Sequence, residues 1–379
     1  MRVAVLQENL AKGLNTVGRA VENRPSLQVL NNVLVAADDT RLKLAAMDMT
    51  LGMTITTYIG AQVEQPGEIT LPRSTLSDLV NNLSPERVNL SLDRATQSVN
   101  VRCGATISNI KGIDAAEFPL IPEPGPADVV IESEKLKKMI QQTAFAAAKE
   151  DNRPILTGVY TEFNGNVMTM AAADGYRLAV RTTEIDQHFD EPFSIVIPAR
   201  AISEVARIIT EDDDEISISL PGERDIVQFH MHSTHVTSQL LEGRFPDFGA
   251  IIPKTYSTAT VVYTSDLLRA CKRTEIFARD AAGSAQVMVN PPKQAGEPGE
   301  VVVMGRSNER GDNTGMVDAT VEGEALEVSF NIRYLIDVLN VIPDERVIIE
   351  SNGANNPGVI RPENSSDFIH VIMPMARPN

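Results

Sequence analysis

The 379-residue chain has no tryptophan, and aromatic residues make up only 4% of it. Proteins that hold single-stranded nucleic acid by stacking need exposed rings, so this composition disfavours that mode. Cysteine is almost absent. Cys103 and Cys271 lie far apart with no CxxC pair, which removes a disulfide framework and a thiolate zinc site. Cys271 follows Leu267 at helical spacing and reads as a small core hydrophobe. Positive charge is also scarce: 34 lysines and arginines face 51 acids, a net charge of −17. Such a sum argues against a phosphate-backbone partner, but it averages over the whole surface and leaves room for a local basic lining. No apolar run approaches the ~20 residues of a membrane span. The opening MRVAVLQENL has no signal-peptide core. The expectation is a cytoplasmic protein whose cores rest on Val, Ile, Leu, Ala and Met.

What the chain does contain is repetition. A short strand running into an amphipathic helix is predicted at residues 3–17 (VAVLQENLAKGLNTV), 129–143 (VVIESEKLKKMIQQT) and 261–275 (VVYTSDLLRACKRTE). A second such start follows at 71–80, 197–206 and 330–339. Leu10, Leu136 and Leu267 are separated by 126 and 131 residues, and Leu76, Ile202 and Leu335 by 126 and 133. Two landmarks with matching spacing indicate three similar domains of about 126 residues each, a ring, arc or array rather than one catalytic pocket. The core stripes predicted on the first helices are Leu10, Leu14, Val17 and Val21; Leu136, Ile140, Thr143 and Ala147; and Leu267, Cys271, Thr274 and Phe277. Strand-like segments fill the intervals, among them 33–37 with 42–46 and 167–171 with 178–182, the latter pair joined by an Asp174-Gly175 turn. The fold class expected is α+β, each domain two helices backed by antiparallel sheet. Proline-rich seams at 118–126 and 245–253 put the boundaries at 1–124, 125–254 and 255–379. Residues 291–299 (PPKQAGEPG) read as a flexible insertion, and 211–215 (EDDDE) as a solvated acidic turn.

No phosphate loop, nucleophile elbow, HExxH or paired catalytic carboxylates occur. Asp48 and Asp174 sit at equivalent places in two repeats, which suits turn residues. His230, His232 and His235 form HxHxxH and could begin a zinc site. A closed site needs about four ligands, and alternation with Val227, Phe229 and Met231 makes the polar face of a strand the stronger reading. The cations carry more. Lys12, Lys138 and Arg269 each follow their core leucine by two residues, hence at one angular position on equivalent helices. Arg200 and Arg333 are equivalent on the second helices, with Arg73 one residue earlier and Arg207 further along. Arg24 and Arg153 recur in Asn-Arg-Pro after the first helix, where proline ends the helix. One such cation is ordinarily a solvated side chain; recurrence favours a common electropositive surface. The chain closes on VIMPM, an apolar, methionine-rich segment that suits short peptides as well as a last edge strand.

The triplicate layout, together with ADGYRLAV at 173–180, EGRFPDFGAIIP at 242–253, NIRYLIDVLN at 331–340 and the terminal VIMPM, resembles the bacterial DNA polymerase III β subunit, or sliding clamp, family over essentially the whole chain. The resemblance implies two three-domain chains closed into a six-domain ring, helices lining the hole and sheets outside. It implies a non-catalytic, cofactor-free, homodimeric processivity factor that encircles duplex DNA without reading sequence. DNA contacts would come from Arg24, Arg73, Lys138, Lys149, Arg153, Arg200, Arg207 and Arg269. It also implies a groove for linear motifs of the polymerase, clamp loader and repair proteins, carried over to Leu156, Gly175, Tyr176, Arg177, Leu178, Pro246, Ile251, Val371, Met373, Pro374 and Met375. Tyr176 stands where the family often has histidine, Ala250 where a basic residue occurs, and Ala376 where arginine is typical, with Arg377 one place later. The alternative is a peptide-binding scaffold of the same three domains that does not encircle DNA. A metal-dependent hydrolase on the three histidines is a third reading.

Overall fold

The computed structural model describes residues 1–22, 26–38, 40–150, 152–222, 225–294 and 297–376. Arg24 and Arg377 lie outside the described residues. In chain order the elements are β1 (Arg2–Leu6), α1 (Gln7–Val17), β2 (Asn32–Asp38), β3 (Arg41–Asp48), β4 (Met53–Gly60), β5 (Gln62–Gln65), β6 (Gly67–Pro72), α2 (Arg73–Asn81), β7 (Arg87–Asp93), β8 (Ser98–Cys103) and β9 (Thr106–Lys111). They continue with β10 (Val129–Glu132), α3 (Ser133–Thr143), β11 (Gly158–Ala173), β12 (Arg177–Pro198), α4 (Ala199–Ile208), β13 (Glu215–Ser219), β14 (Ile226–His230) and β15 (Thr234–Gln239). The last are β16 (Thr258–Tyr263), α5 (Thr264–Ala278), β17 (Ser284–Asn290), β18 (Gly299–Ser307), β19 (Gly311–Gly323), β20 (Leu326–Asn331), α6 (Ile332–Val341), β21 (Arg346–Ser351), β22 (Gly358–Pro362) and β23 (Phe368–Ile372). Six helices thus begin at the positions that the repeat spacing predicts.

By compactness the chain forms two units: Met1–Lys137 with Ile185–Gln187 and Arg200–Leu240, and Lys138–Glu184 with His188–Ala199 and Leu241–Asn379. The first unit holds a five-stranded sheet, β5-β1-β7-β8-β9, and an eight-stranded sheet, β10-β13-β14-β15-β4-β3-β2-β6, with every pairing antiparallel. β15 of the middle repeat pairs with β4 of the first, with Val236 opposite Ile55. Strand pairing therefore runs through the repeat joint, which is why compact units and repeats divide the chain differently. Helix α1 packs on α2, β3 and β4. It buries Leu10, Leu14 and Val17, and the amide of Gln7 donates to the Val80 carbonyl at 2.8 Å. Gly13 permits this close seat: a Cβ there would lie 2.8 Å from Leu44 Cδ1.

The second unit is built on one ten-stranded antiparallel sheet, β11-β12-β23-β22-β21-β16-β19-β18-β17-β20. Here β12 of the middle repeat pairs with β23 of the last, with Leu178 opposite Val371. Helices α5 and α6 pack together, and α5 covers β18 and β19. The middle stripe is buried through Ala147, while the first and third end differently from expectation. Val21 and Phe277 are only half-buried, and Ala20 and Ala278 fill the apolar positions instead. Ala20 does so because α1 tightens into a 3₁₀ turn over Gly18–Ala20. Both cysteines are buried and free. Burial pushes the Cys271 thiol up to about 12.

His370, on β23, is wholly enclosed, and neither ring nitrogen has a hydrogen-bond partner among the described residues. Burial, and to a lesser degree the Arg177 guanidinium, lowers its pKa to about 3. The native state thus keeps a neutral imidazole that the unfolded chain protonates below about pH 6.5. This linkage leaves stability whole above pH 6.5 and removes it as pH falls toward 3, by about 1.4 kcal/mol per pH unit. His370→Leu is expected to flatten the acid limb of the thermal-unfolding midpoint against pH and to raise the midpoint at pH 7. A variant with the wild-type acid slope would assign that slope to other groups.

Candidate DNA-facing helices and a partner groove

The cations chosen from sequence differ in availability. Lys138, on α3, is exposed, as are Lys149, Arg153 and Arg200, and none of the four makes an ion pair among the described residues. Arg269 is exposed but pairs within α5 with Asp266. Arg207 pairs within α4 with Glu204, whose other oxygen holds Arg19 at 3.0 Å, so one carboxylate serves two guanidinium groups. Lys12 stands 3.8 Å from Asp212, with both side chains well exposed; such a surface pair contributes about 0–1 kcal/mol and yields readily to a phosphate. Arg73 is half-buried, and a Cβ on Gly18 would lie 2.9 Å from its Nε. It therefore packs against the end of α1, and its Nε has no hydrogen-bond partner among the described residues.

The apolar site forms where β11, β12, β23 and β22 run side by side. Ala173, Leu178, Val371 and Val359 pair in one row across the four strands. With Ala171 and Val180 they form a cluster over which Phe248 and Ile252 lie. A second cluster of Leu156, Val196 and Phe245 adjoins it through Tyr160, Ala173 and Phe248. The Tyr160 ring stacks on Phe245 at 5.4 Å and meets Phe248 edge-on at 5.7 Å. Of the groove residues named from sequence, Leu156, Leu178 and Val371 are buried floor. Pro246, Ile251, Gly175, Tyr176 and Met373 are exposed, while Pro374 and Met375 are half-buried. Tyr176 is 66% exposed and Met373 39%, so large apolar side chains stand at the rim with little cover. The rim is pinned by backbone: Met373 N donates to Tyr176 O, and Met375 N to Ser329 O, each at 2.8 Å. Between β11 and β12, Gly175 takes φ +92°, where a side chain would strain, and Asp174 Oδ1 accepts from the amides of Tyr176 and Arg177.

Arg177 points into the protein. Its guanidinium donates to Asp174 Oδ2 at 3.1 Å, Asp337 Oδ2 at 2.6 Å and the Phe145 carbonyl at 2.8 Å. It also lies 4.3 Å from the centre of the Tyr334 ring. With 4% of its side chain exposed, it fastens the turn beneath the rim to α6 and leaves few donors for a ligand. Its partners Asp337, Tyr334 and Phe145, and the floor residues Tyr160, Phe248 and Ile252, were not among the residues named from sequence. The seam FPDF contained Phe248, but an alternating strand pattern does not reveal which rings meet.

The three histidines do not converge. His230 and His235 face each other across the β14–β15 hairpin with Nδ1 atoms 2.9 Å apart, and His230 Nε2 lies 2.8 Å from Ser219 Oγ. Burial lowers both pKa values. His232 is in the following turn. Among the described residues no three His, Cys, Asp or Glu side chains are grouped to hold a metal.

Comparison with known proteins covers the entire chain. Family models of the DNA polymerase III beta subunit match residues 1–122 (N-terminal domain), 130–247 (central domain) and 249–376 (C-terminal domain). The chain belongs to the beta sliding clamp family. It is 30% identical to the beta sliding clamp of Synechococcus elongatus over 99% of both chains. It is 29% identical to that of Pseudomonas aeruginosa over 99% of this chain and all of the relative. The solved DNA polymerase sliding clamp from Bacillus subtilis superimposes with a TM-score of 0.92 at 26% identity, each chain covered in full. The α+β class and the three clamp domains read from the repeats hold for this member of the family. Among the described residues no helix is long and apolar enough to cross a membrane.

Removing one side of a buried ion pair strands the other. Arg177→Ala is therefore expected to lower unfolding stability by about 2–4 kcal/mol, toward the lower end because Asp337 is partly exposed and rehydrates. Chemical denaturation measures this, and an unchanged midpoint would rule out the fastening role.

Proposed function

We propose that this clamp is the non-catalytic processivity factor of a replicative DNA polymerase, a ring that surrounds duplex DNA, slides without reading sequence and tethers its partners through short apolar motifs. The observation that carries the reading is the recurrence of Lys12, Lys138 and Arg269 on one turn of α1, α3 and α5, each exposed, in a chain of net charge −17. Repeated cations give weak contacts to phosphates and none to bases. So few of them bind loosely at physiological salt, so retention rests on enclosure. Lys149, Arg153 and Arg200 join this surface, with Arg24 assigned to it on sequence alone. Arg207 and Arg269 join once their helix carboxylates exchange them for phosphate, and Arg73 as a support of α1.

We assign the domains to 1–124, 125–254 and 255–379, and infer that two chains close the ring. In support, β9 ends its sheet with an open edge and carries Ile107 at 56% exposure, a surface that antiparallel pairing with a second chain would cover. Polymerase, clamp loader and repair proteins would insert apolar anchors over Leu178 and Val371, with Tyr176 and Met373 folding onto the peptide. The site of action is the cytoplasm, at the nucleoid.

Native mass measurement should give about twice the 41.2 kDa chain mass. Clamp loaded on a circular plasmid should dissociate when the plasmid is cut once; equal retention on linear and circular DNA would eliminate enclosure. Leu178 is fully buried, so Leu178→Ala mixes binding with folding losses. Tyr176→Ala and Met373→Ala separate them. Each is expected to weaken a polymerase-derived peptide about tenfold with an unchanged melting temperature, and unaltered affinity in both would move the groove elsewhere.

A further inference from the structure

The face of the eight-stranded sheet turned away from α1 is covered at one end by Phe118 packed on Leu34 and Ala45. Beyond that cover the face opens into a cleft of about 480 Å³. Strand register aligns Glu68, Ala36, Lys43 and Tyr58 in a row across β6, β2, β3 and β4. Arg41, one row on, lies with its guanidinium 4.6 Å from the centre of the Tyr58 ring. Arg94, from the turn between β7 and β8, closes the third side. Three cations thus surround one apolar floor in a chain with a large acidic excess, and none of them makes an ion pair among the described residues. The Leu178 groove does not involve this cleft, and its cations are not those of the repeated helix positions.

We propose that the cleft is a binding site for an acidic peptide segment of a partner protein. Lys43, Arg41 and Arg94 supply donors for side-chain carboxylates. Leu34 and Ala36 provide an apolar seat for the stems that carry them. Asp38 and Glu68, also on the lining, decide the class of ligand. They accept hydrogen bonds from a peptide's backbone N–H groups, whereas the anionic oxygens of a free phosphate or a nucleic-acid backbone meet them as like charge.

The site has a built-in reporter. His235 on β15 meets Tyr58 edge-on at 5.8 Å and shares its Nδ1 contact with His230. Its pKa is held below the ordinary value by burial first, then by Lys43 and Arg41. A bound carboxylate offsets that positive field, so His235 must titrate at higher pH when the cleft is filled. The experiment is an NMR pH titration of the His235 ring in the full chain at constant ionic strength. Capped hexaglutamate, capped hexaglutamine and inorganic phosphate are added in turn. Hexaglutamate should shift the resonance saturably and raise the midpoint, hexaglutamine should do neither, and phosphate should act only at far higher concentration. Lys43→Gln with Arg94→Gln should weaken the hexaglutamate response at least about tenfold, while Lys43→Arg retains it. Circular dichroism and melting temperature verify that the variants fold. No saturable response to hexaglutamate, an equal response to phosphate, or an undiminished response in the double variant would each overturn the proposal.

Discussion

Everything in this molecule depends on backbone hydrogen bonds between strands that belong to different repeats. β15 adds to the first repeat's sheet through β4, and β12 joins the last repeat's sheet through β23. Side chains alternate between faces along a strand, so a slip by one residue would exchange the buried and exposed sets. Leu178 opposite Val371 is consequently a fixed pairing, and the apolar cluster around them comes into being at that joint. Neither repeat contains this cluster by itself. Its floor is a row of four residues from four strands, two of them on each side of the joint.

Charge is arranged on a second principle. Several cations have a local acid: Glu204 serves Arg19 and Arg207, and Asp266 serves Arg269. Such exposed pairs contribute little to stability and leave the cation ready for exchange. Of the cations named from the repeats, Lys138 on α3 and Arg200 on α4 make no ion pair among the described residues, nor do Lys149 and Arg153 in the segment after α3. A net charge averages over the whole surface, so an acidic total does not prevent exposed, unpaired cations from recurring at fixed helix positions.

What could be read in advance follows from the range of each signal. Helix starts were legible because a strand, a leucine stripe and a cation recur at fixed spacing. Leu178 and Val371 were legible as parts of motifs. The task of Arg177 was not, since two of its three partners lie 32 and 160 residues away, and no local pattern announces a buried guanidinium. Strand length also escaped. β12 runs on for 22 residues through a polar stretch, because pairing with β11, down to Phe163 opposite Phe193, sustains it where hydrophobicity does not. The pairing of His230 with His235 follows from hairpin register, which reading the segment as the polar face of a strand does not specify.

The two cysteines have a practical corollary. Cys103 is buried, with its Sγ 3.6 Å from the Ser84 carbonyl, and the Cys271 thiol, at about 12, forms almost no thiolate at neutral pH. Neither sulfur is a nucleophile that a maleimide or iodoacetamide reagent reaches in the native fold. A single cysteine introduced on the surface can carry a fluorophore or spin label with both natural thiols left in place.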